Sequence, residues 1–361
     1  MSKVVTMKMI AAQAGVTQAT VSMCLANNPR ISAETRARVR ALADRLGYRP
    51  NPYVSALMRA RRLGRARQDR PVIALVNGLE QAAAWRDSAA PTVRQMREGA
   101  IERAALRGYR TQEFWLHQDG MSAERFSGML HARGIRGLLL GPLAAGAPTP
   151  ALRWEQFAAV RLGVPLPDLT LTTVCNDHFF SSVQVMRECH ARGYRRVGLV
   201  MLRAHRERFH GRWDGGLQAA QHLFPGMRAL RPLLLEDWDG LGGLADWLRR
   251  ERPEVVVTPA ADRLRPALAR SAGAGLGLAS LACATLGDAC SGIFQNGRLI
   301  GATGIDAVIS QLERNEAGLP AQAQTIMIEG RWNEGVTLPV RTGVPRAGGG
   351  KRATPRRRTG H

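Results

Sequence analysis

The text from residue 6 to residue 52, TMKMIAAQAGVTQATVSMCLANNPRISAETRARVRALADRLGYRPNP, constrains this chain most, because its apolar residues recur at helical spacing in three short blocks. The first block sets Met7, Ile10, Ala11 and Ala14 on one stripe, with Thr6 as its N-cap and Gly15 where the helix must stop. Gly15 and Val16 turn the chain, and Thr17 caps a second helix with Val21, Cys24 and Leu25 inward and Gln18, Ala19, Ser22 and Met23 outward. The third block opens at Ser32 and runs through Val39, Leu42, Ala43 and Leu46 to Gly47, with Arg36, Arg38, Arg40 and Arg45 off its apolar stripe. Two short helices joined by a tight turn and buttressed by a third can set one helix in a DNA major groove while the others hold the backbone. A three-helix protein-interaction module is the rival reading, and the local charge disfavours it.

That charge is unevenly placed. The chain of 361 residues carries a formal net charge of +22. Residues 1–70 hold 14 Lys/Arg against 3 Asp/Glu, and residues 341–361 hold 7 basic and no acidic groups, so the ends carry 18 of the 22 charges. A basic end on a nearly neutral body is the footprint of a protein that neutralises phosphates, although charge alone does not separate DNA from RNA or an acidic membrane. At about 100 to 200 residues per domain, the length implies two or three domains. The five cysteines, Cys24, Cys175, Cys189, Cys283 and Cys290, are odd in number and form no CxxC pair, which disfavours a disulfide framework and a zinc site. The N-terminus lacks the apolar stretch of a signal peptide, and no apolar run reaches the roughly 20 residues of a membrane helix. A cytoplasmic protein with no membrane partner is expected.

The stretches AAQAGVTQATVS, ISAETRARV and GYRPNP carry a resemblance to the DNA-binding headpiece of the lactose/galactose repressor (LacI/GalR) family. The resemblance implies base contacts from Thr17, Gln18, Ala19 and Met23, phosphate contacts nearer Thr20 and Ser22, and further DNA-binding positions at Thr6, Asn51, Leu57 and Arg59. Gln18 can pair bidentately with adenine, and Ala19 offers a methyl contact to thymine. Met23 stands where the family commonly has arginine and Met9 where it commonly has an acidic residue, so a typical guanine contact is missing. Residues 50–62, PNPYVSALMRARR, look like the family's hinge helix, with Leu57 as the minor-groove wedge and Arg59, Arg61 and Arg62 within reach of phosphates. A plain basic linker is the alternative.

From residue 71 to residue 342, apolar runs alternate with amphipathic stretches: VIALVNG, RQMREGAIERAALRGY, RTQEFWLH, AERFSGMLHARG, IRGLLLGP, then a second set from about residue 171. Repeated strand-helix-strand text implies parallel sheets covered by helices, here two α/β lobes with a ligand cleft beyond the carboxyl ends of the strands. The order of elements is similar to the periplasmic-binding-protein-like core of the same family. That likeness implies three crossings between lobes, with residues near 290–320 returning to the first lobe and TIMIEGRW passing to the second. It also implies effector contacts at Asn77, Asp177, Arg212, Asp288 and Gln295, of which Arg212 in RWDGG is the foremost, since a guanidinium fork can hold hydroxyls or a carboxylate. Capping or surface roles are the alternative for each. Ala261-Asp262 departs from the family's Asn-Asp pair, and Pro266 interrupts the text that usually follows, so the usual sugar need not be the ligand.

No GxxxxGK[ST] loop, GxSxG elbow or HExxH helix occurs, so neither an enzyme nor a cofactor is expected. His205 and His210 read as loop residues. The expected fold is an all-α helix-turn-helix headpiece (residues 1–50), a hinge helix and linker (51–70), a two-lobed α/β effector-binding and dimerisation core (71–342), and a disordered basic tail (343–361). The expected function is that of a homodimeric, sequence-specific transcription regulator, a repressor, whose grip on a pseudo-palindromic double-stranded operator changes when a sugar-like small molecule enters the cleft. A DNA-binding regulator without an effector and a helix-turn-helix fused to a sugar-processing enzyme are the alternatives.

Overall fold

The computed structural model describes residues 7–25, 28, 30–46, 48, 70–144, 146–271 and 275–341. Two compact units result, and each is described by itself.

The first holds the headpiece helices α1 (Met7–Ala14), α2 (Gln18–Leu25) and α3 (Ala33–Arg45). Their stripes meet as the spacing requires: Ile10, Ala11, Val21, Cys24, Val39, Leu42 and Ala43 form one buried cluster. Gly15 takes φ +65°, a left-handed conformation that costs glycine little, and the Val16 amide then donates to the Ala11 carbonyl to close the turn. Ser32 caps α3 by accepting the Thr35 amide at 3.2 Å. Thr6, Gly47 and the proposed hinge with Asn51, Leu57 and Arg59 lie outside the described residues, as do residues 342–361.

The second unit contains two parallel sheets. In the first lobe, β1 (Val72–Gly78), α4 (Pro91–Leu106), β2 (Arg110–Trp115), α5 (Ala123–Ala132), β3 (Gly137–Leu143), β4 (Ala158–Leu162) and β5 (Thr172–Asn176) follow one another. The second lobe then takes α6 (His178–Ala191), β6 (Arg196–Leu202), α7 (Arg203–Arg208), α8 (Arg212–Ala220), β7 (Arg228–Ala229), β8 (Leu233–Leu235), α9 (Leu244–Glu251), β9 (Val255–Thr258), α10 (Ala261–Ser271), β10 (Gly277–Cys283) and β11 (Gly292–Phe294). The chain returns through α11 (Gly297–Arg314) and β12 (Thr325–Ile328) and ends in β13 (Arg331–Asn333). The first sheet has the order β12-β5-β4-β3-β1-β2, all parallel. The second runs β13-β11-β10-β9-β6-β7, with β8 also paired to β6 and β13 antiparallel to β11.

Both faces of the second sheet are covered. Val197, Leu199, Met201, Val255 and Val257 pack against α6 and α8, and Val200, Val256 and Leu278 pack against α9 and α10. Strands buried on both faces read as continuous apolar runs, which is why VVVT and GLLLGPL show no alternation.

The three crossings occur after Asn176, after Phe294 and after Ile328. Their positions correct the sequence reading in two places. The LTLTTVCND run does not open the second lobe, because its strand β5 pairs with β4 in the first. TIMIEGRW is split: Thr325–Ile328 pairs with β5, and only Arg331–Asn333 joins the second sheet. His205 is not a loop residue, since it lies in α7. Pro266 stands inside α10 without ending it. Arg341, counted with the basic tail, is fixed to the body by an ion pair with Glu254 and a guanidinium 5.6 Å from the Tyr194 ring.

Candidate nucleic-acid interface and interlobe cleft

The headpiece presents α2 with Gln18 and Ala19 exposed and Thr20, Ser22 and Met23 half-buried, while Val21 and Cys24 are fully enclosed. Thr17 Oγ1 accepts the Thr20 amide at 3.1 Å and lies 2.9 Å from Thr20 Oγ1. The cap thus occupies these two hydroxyls with each other, and Gln18, one position on, offers an exposed carboxamide at the start of the helix. Arg36 does not extend outward with the other α3 arginines: its Nη1 donates to the carbonyls of Asn28 (3.0 Å) and Ile31 (2.5 Å), stitching the loop before α3. Arg38, Arg40 and Arg45 are exposed.

In the core, four of the five residues expected from the sequence stand at strand ends or helix starts and Asp288 lies in the loop between β10 and β11; all but Arg212 are engaged in holding local backbone. Asn77, 1% exposed at the end of β1, donates from Nδ2 to the Gln81 and Ala82 carbonyls at 3.0 Å each and accepts the Leu79 amide at 2.9 Å. Asp177 caps α6 by accepting the Phe180 amide at 2.9 Å. Asp288 accepts the Ala284 and Cys290 amides, and the buried Gln295 donates to the Leu281 carbonyl at 2.8 Å. Arg212 differs. Its Nη1 reaches from α8 of the second lobe to 3.8 Å from Cys175 Sγ on β5 of the first.

Two further arginines, not selected from the sequence, stand with it. Arg208, on α7, donates from Nη2 to the Leu143 carbonyl at the end of β3 and borders a pocket of about 450 Å³ lined also by Glu80, Gln81, Asp87, Ser88 and Ala144. Arg161, on β4, is 6% exposed, with Nε and Nη1 buried and without a hydrogen-bond partner. Burial first, then the Arg208 guanidinium, push Arg161 down to about 10, so it keeps its proton at neutral pH. The one signal in the sequence is the lone basic residue of AAVRL, a strand otherwise wholly apolar.

An aromatic group packs beside Arg212 in the second lobe. His178 stacks on Phe209 at 4.5 Å between ring centroids and meets Trp213 edge-on at 5.2 Å, and His205 faces Trp213 and Trp238 at 6.3 and 6.1 Å. Burial, then Arg212, lowers His178 to about 3; burial, then Arg208, lowers His205 to about 4. Both imidazoles are therefore neutral above pH 5 and add no charge to the cleft. Among the described residues no cluster of three or more His, Cys, Asp or Glu could hold a metal ion, all five cysteines are buried and unpaired, and no helix is long and apolar enough to cross a membrane.

These features define a class: a helix-turn-helix headpiece and a two-lobed α/β core carried on one chain. Residues 6–51 match the family model described as bacterial regulatory proteins, lacI family. It is 26% identical over 218 residues to the HTH-type transcriptional regulator MalR of Staphylococcus xylosus, covering 60% of this chain and 61% of MalR. It is 26% identical over 217 residues to the HTH-type transcriptional repressor CytR of Escherichia coli K12, covering 59% and 58%. The match thus spans less than two thirds of either relative. The fold is shared with the transcriptional regulator CelR in complex with cellobiose (TM-score 0.56, 19% identity, 92% of this chain and 99% of that one). It is shared also with the lac repressor dimer bound to operator and the anti-inducer ONPF (TM-score 0.54, 19% identity, 93% and 100%).

Proposed function

We propose that this chain is a sequence-specific DNA-binding transcription regulator, a repressor, that acts as a homodimer on a pseudo-palindromic double-stranded operator and responds to a small molecule in the interlobe cleft. The outward face of α2 carries this reading: Gln18 and Ala19 stand exposed at the start of a helix that a closed turn and a buried stripe hold rigidly to its neighbours. The basic headpiece supplies phosphate attraction without sequence preference, and the α2 side chains supply the base contacts. Support for the partners comes from the relatives: one structural neighbour is a dimer on its operator, another holds cellobiose, and a LacI-family regulator from Enterococcus faecium holds ribose (TM-score 0.54, 14% identity). Binding of the small molecule would shift the lobes and so change operator affinity, typically by about 1 to 3 kcal/mol of coupling. The cytoplasm is the expected compartment.

Selection of bound sequences from random duplex DNA tests this reading. The full chain should enrich a pseudo-palindrome, and Gln18→Ala should flatten preference at one position per half-site, costing about 1 to 3 kcal/mol there. Enrichment of no motif at all overturns the regulator reading. An unchanged base profile for Gln18→Ala removes Gln18 from the contacts.

A further inference from the structure

We infer that the ligand of the interlobe cleft is an anion: a carbohydrate-sized molecule bearing a carboxylate or phosphate that is held by Arg161, Arg208 and Arg212. The inference rests on the reading of the cleft as an effector site and gives that effector its charge.

Three guanidiniums converge there from both lobes. Arg161 extends toward the carboxyl end of β4, since a Cβ added at Gly163 would lie 3.5 Å from its Nη1. Arg208 lies close enough to Arg161 to disfavour its charge, and Arg212 touches Cys175, which itself feels Arg161. None of the three forms an ion pair among the described residues, whereas the neighbouring Arg203 and Arg206 are paired with Glu236 and Asp214. Asp177, the carboxylate that acts on Cys175 beside Arg212, is engaged in capping α6.

A buried guanidinium with two donor nitrogens unsatisfied is costly. Removing a charge from water is unfavourable by several kcal/mol unless a counter-charge and hydrogen bonds compensate, and a second cation beside it adds to the cost. A protein retains such strain where a partner relieves it. Arginine is suited to that partner, because its planar fork matches the two oxygens of a carboxylate or phosphate. Beyond Arg208 the pocket changes character: Glu80, Gln81, Asp87 and Ser88 line it, and Asp87 is paired with Arg86. Such groups accept hydrogen bonds from hydroxyls. An anionic head among the arginines and a hydroxylated body toward Glu80 and Gln81 satisfy both halves, as in a sugar acid or a sugar phosphate.

The test is calorimetric titration of the full-length protein with glucose and cellobiose as neutral probes, glucuronate as the carboxylate and glucose 6-phosphate as the phosphate. At least one anionic probe should bind saturably and at least tenfold more tightly than either neutral sugar, and the two anions compared show which oxyanion the forks prefer. Arg161→Met should weaken that probe at least tenfold while the ligand-free protein unfolds at an equal or higher temperature, because an uncompensated buried charge has gone. Arg208→Gln, on the opposite lobe, should weaken the same probe while removing only one contact to the first sheet, the hydrogen bond to the Leu143 carbonyl. Neutral sugars binding as tightly as anions, no saturable anion binding, affinity within twofold of the parent in both variants, or a ligand-free Arg161→Met protein that melts far below the parent would each overturn the inference. Operator selection is run without ligand, so its success or failure is read separately.

Discussion

His178 condenses the chemistry of the buried aromatic group into one side chain. It is the first residue of α6, 5% exposed, stacked on Phe209 and edge-on to Trp213, and its Nδ1 is buried without a partner. Its folded value of about 3 lies below the ordinary 6.5, so only the unfolded chain takes up a proton as pH falls through 6.5. Stability from this group is fully present above pH 6.5 and is lost as pH falls toward about 3, at up to about 1.4 kcal/mol per pH unit. Between pH 7 and pH 5 the loss due to His178 should be about 2 kcal/mol. His178→Phe, which keeps the stack and cannot titrate, should show a correspondingly smaller drop in urea midpoint over that interval. Equal drops in parent and variant would show that the imidazole is wet. Such residues divide by how local their role is. The caps at Thr17, Ser32 and Asp177 depend on the next three residues and were legible in the sequence; Asp177, though, was read as an effector contact, and its observed partner is the Phe180 amide. Arg161 was not legible, since its burial is set by strands β3 and β5 on either side, which no local pattern announces.

Among the elements, the contact of α4 with α11 shows how the chain's late return to the first lobe is fixed. A Cβ at Gly301 would stand 1.8 Å from the Met96 carbonyl oxygen, and one at Gly99 would stand 2.0 Å from the Arg298 carbonyl oxygen. The two helices therefore cross backbone to backbone, and the obstructing atoms are main chain that cannot swing aside. Alanine has the higher helix propensity by about 1 kcal/mol, which alone would make Gly301→Ala stabilising. Overpacking of a close crossing typically costs about 1 to 3 kcal/mol and should win here, so Gly301→Ala should lower the urea midpoint. Gly128, exposed in α5 with open space around its Cβ position, provides the opposite sign: Gly128→Ala should raise stability by about 0.5 to 1 kcal/mol. Two variants shifting the same way would contradict the crossing. The helices α1, α2 and α3 were legible because each carries its own stripe and stop. Where the chain changes lobe was not, since β5 and β12 look alike whether they pair with the first sheet or the second, and pairing alone decides it.

At the scale of the whole molecule, charge separates phosphate attraction from recognition. The two-lobed architecture follows the order of elements in the sequence, but the distribution of the +22 net charge is a property of the ends. One residue of the basic C-terminal stretch, Arg341, is committed to Glu254, which leaves six Lys/Arg in residues 343–361 without an acidic residue among them. On the proposed function these charges act on phosphates in general and α2 distinguishes bases, so the two contributions should come apart in a salt titration. Each phosphate neutralised steepens the log-log salt dependence of affinity by about 0.9, so removing residues 343–361 should flatten the slope by up to about 5. Operator and scrambled duplex should lose affinity together, and their ratio should hold within about threefold, since phosphate contacts carry no sequence information. Fluorescence anisotropy on both duplexes from 50 to 300 mM salt measures the slopes directly. A truncated protein with the parent's slope would remove the C-terminal charges from DNA binding, and a collapse of the ratio would mean that they read sequence.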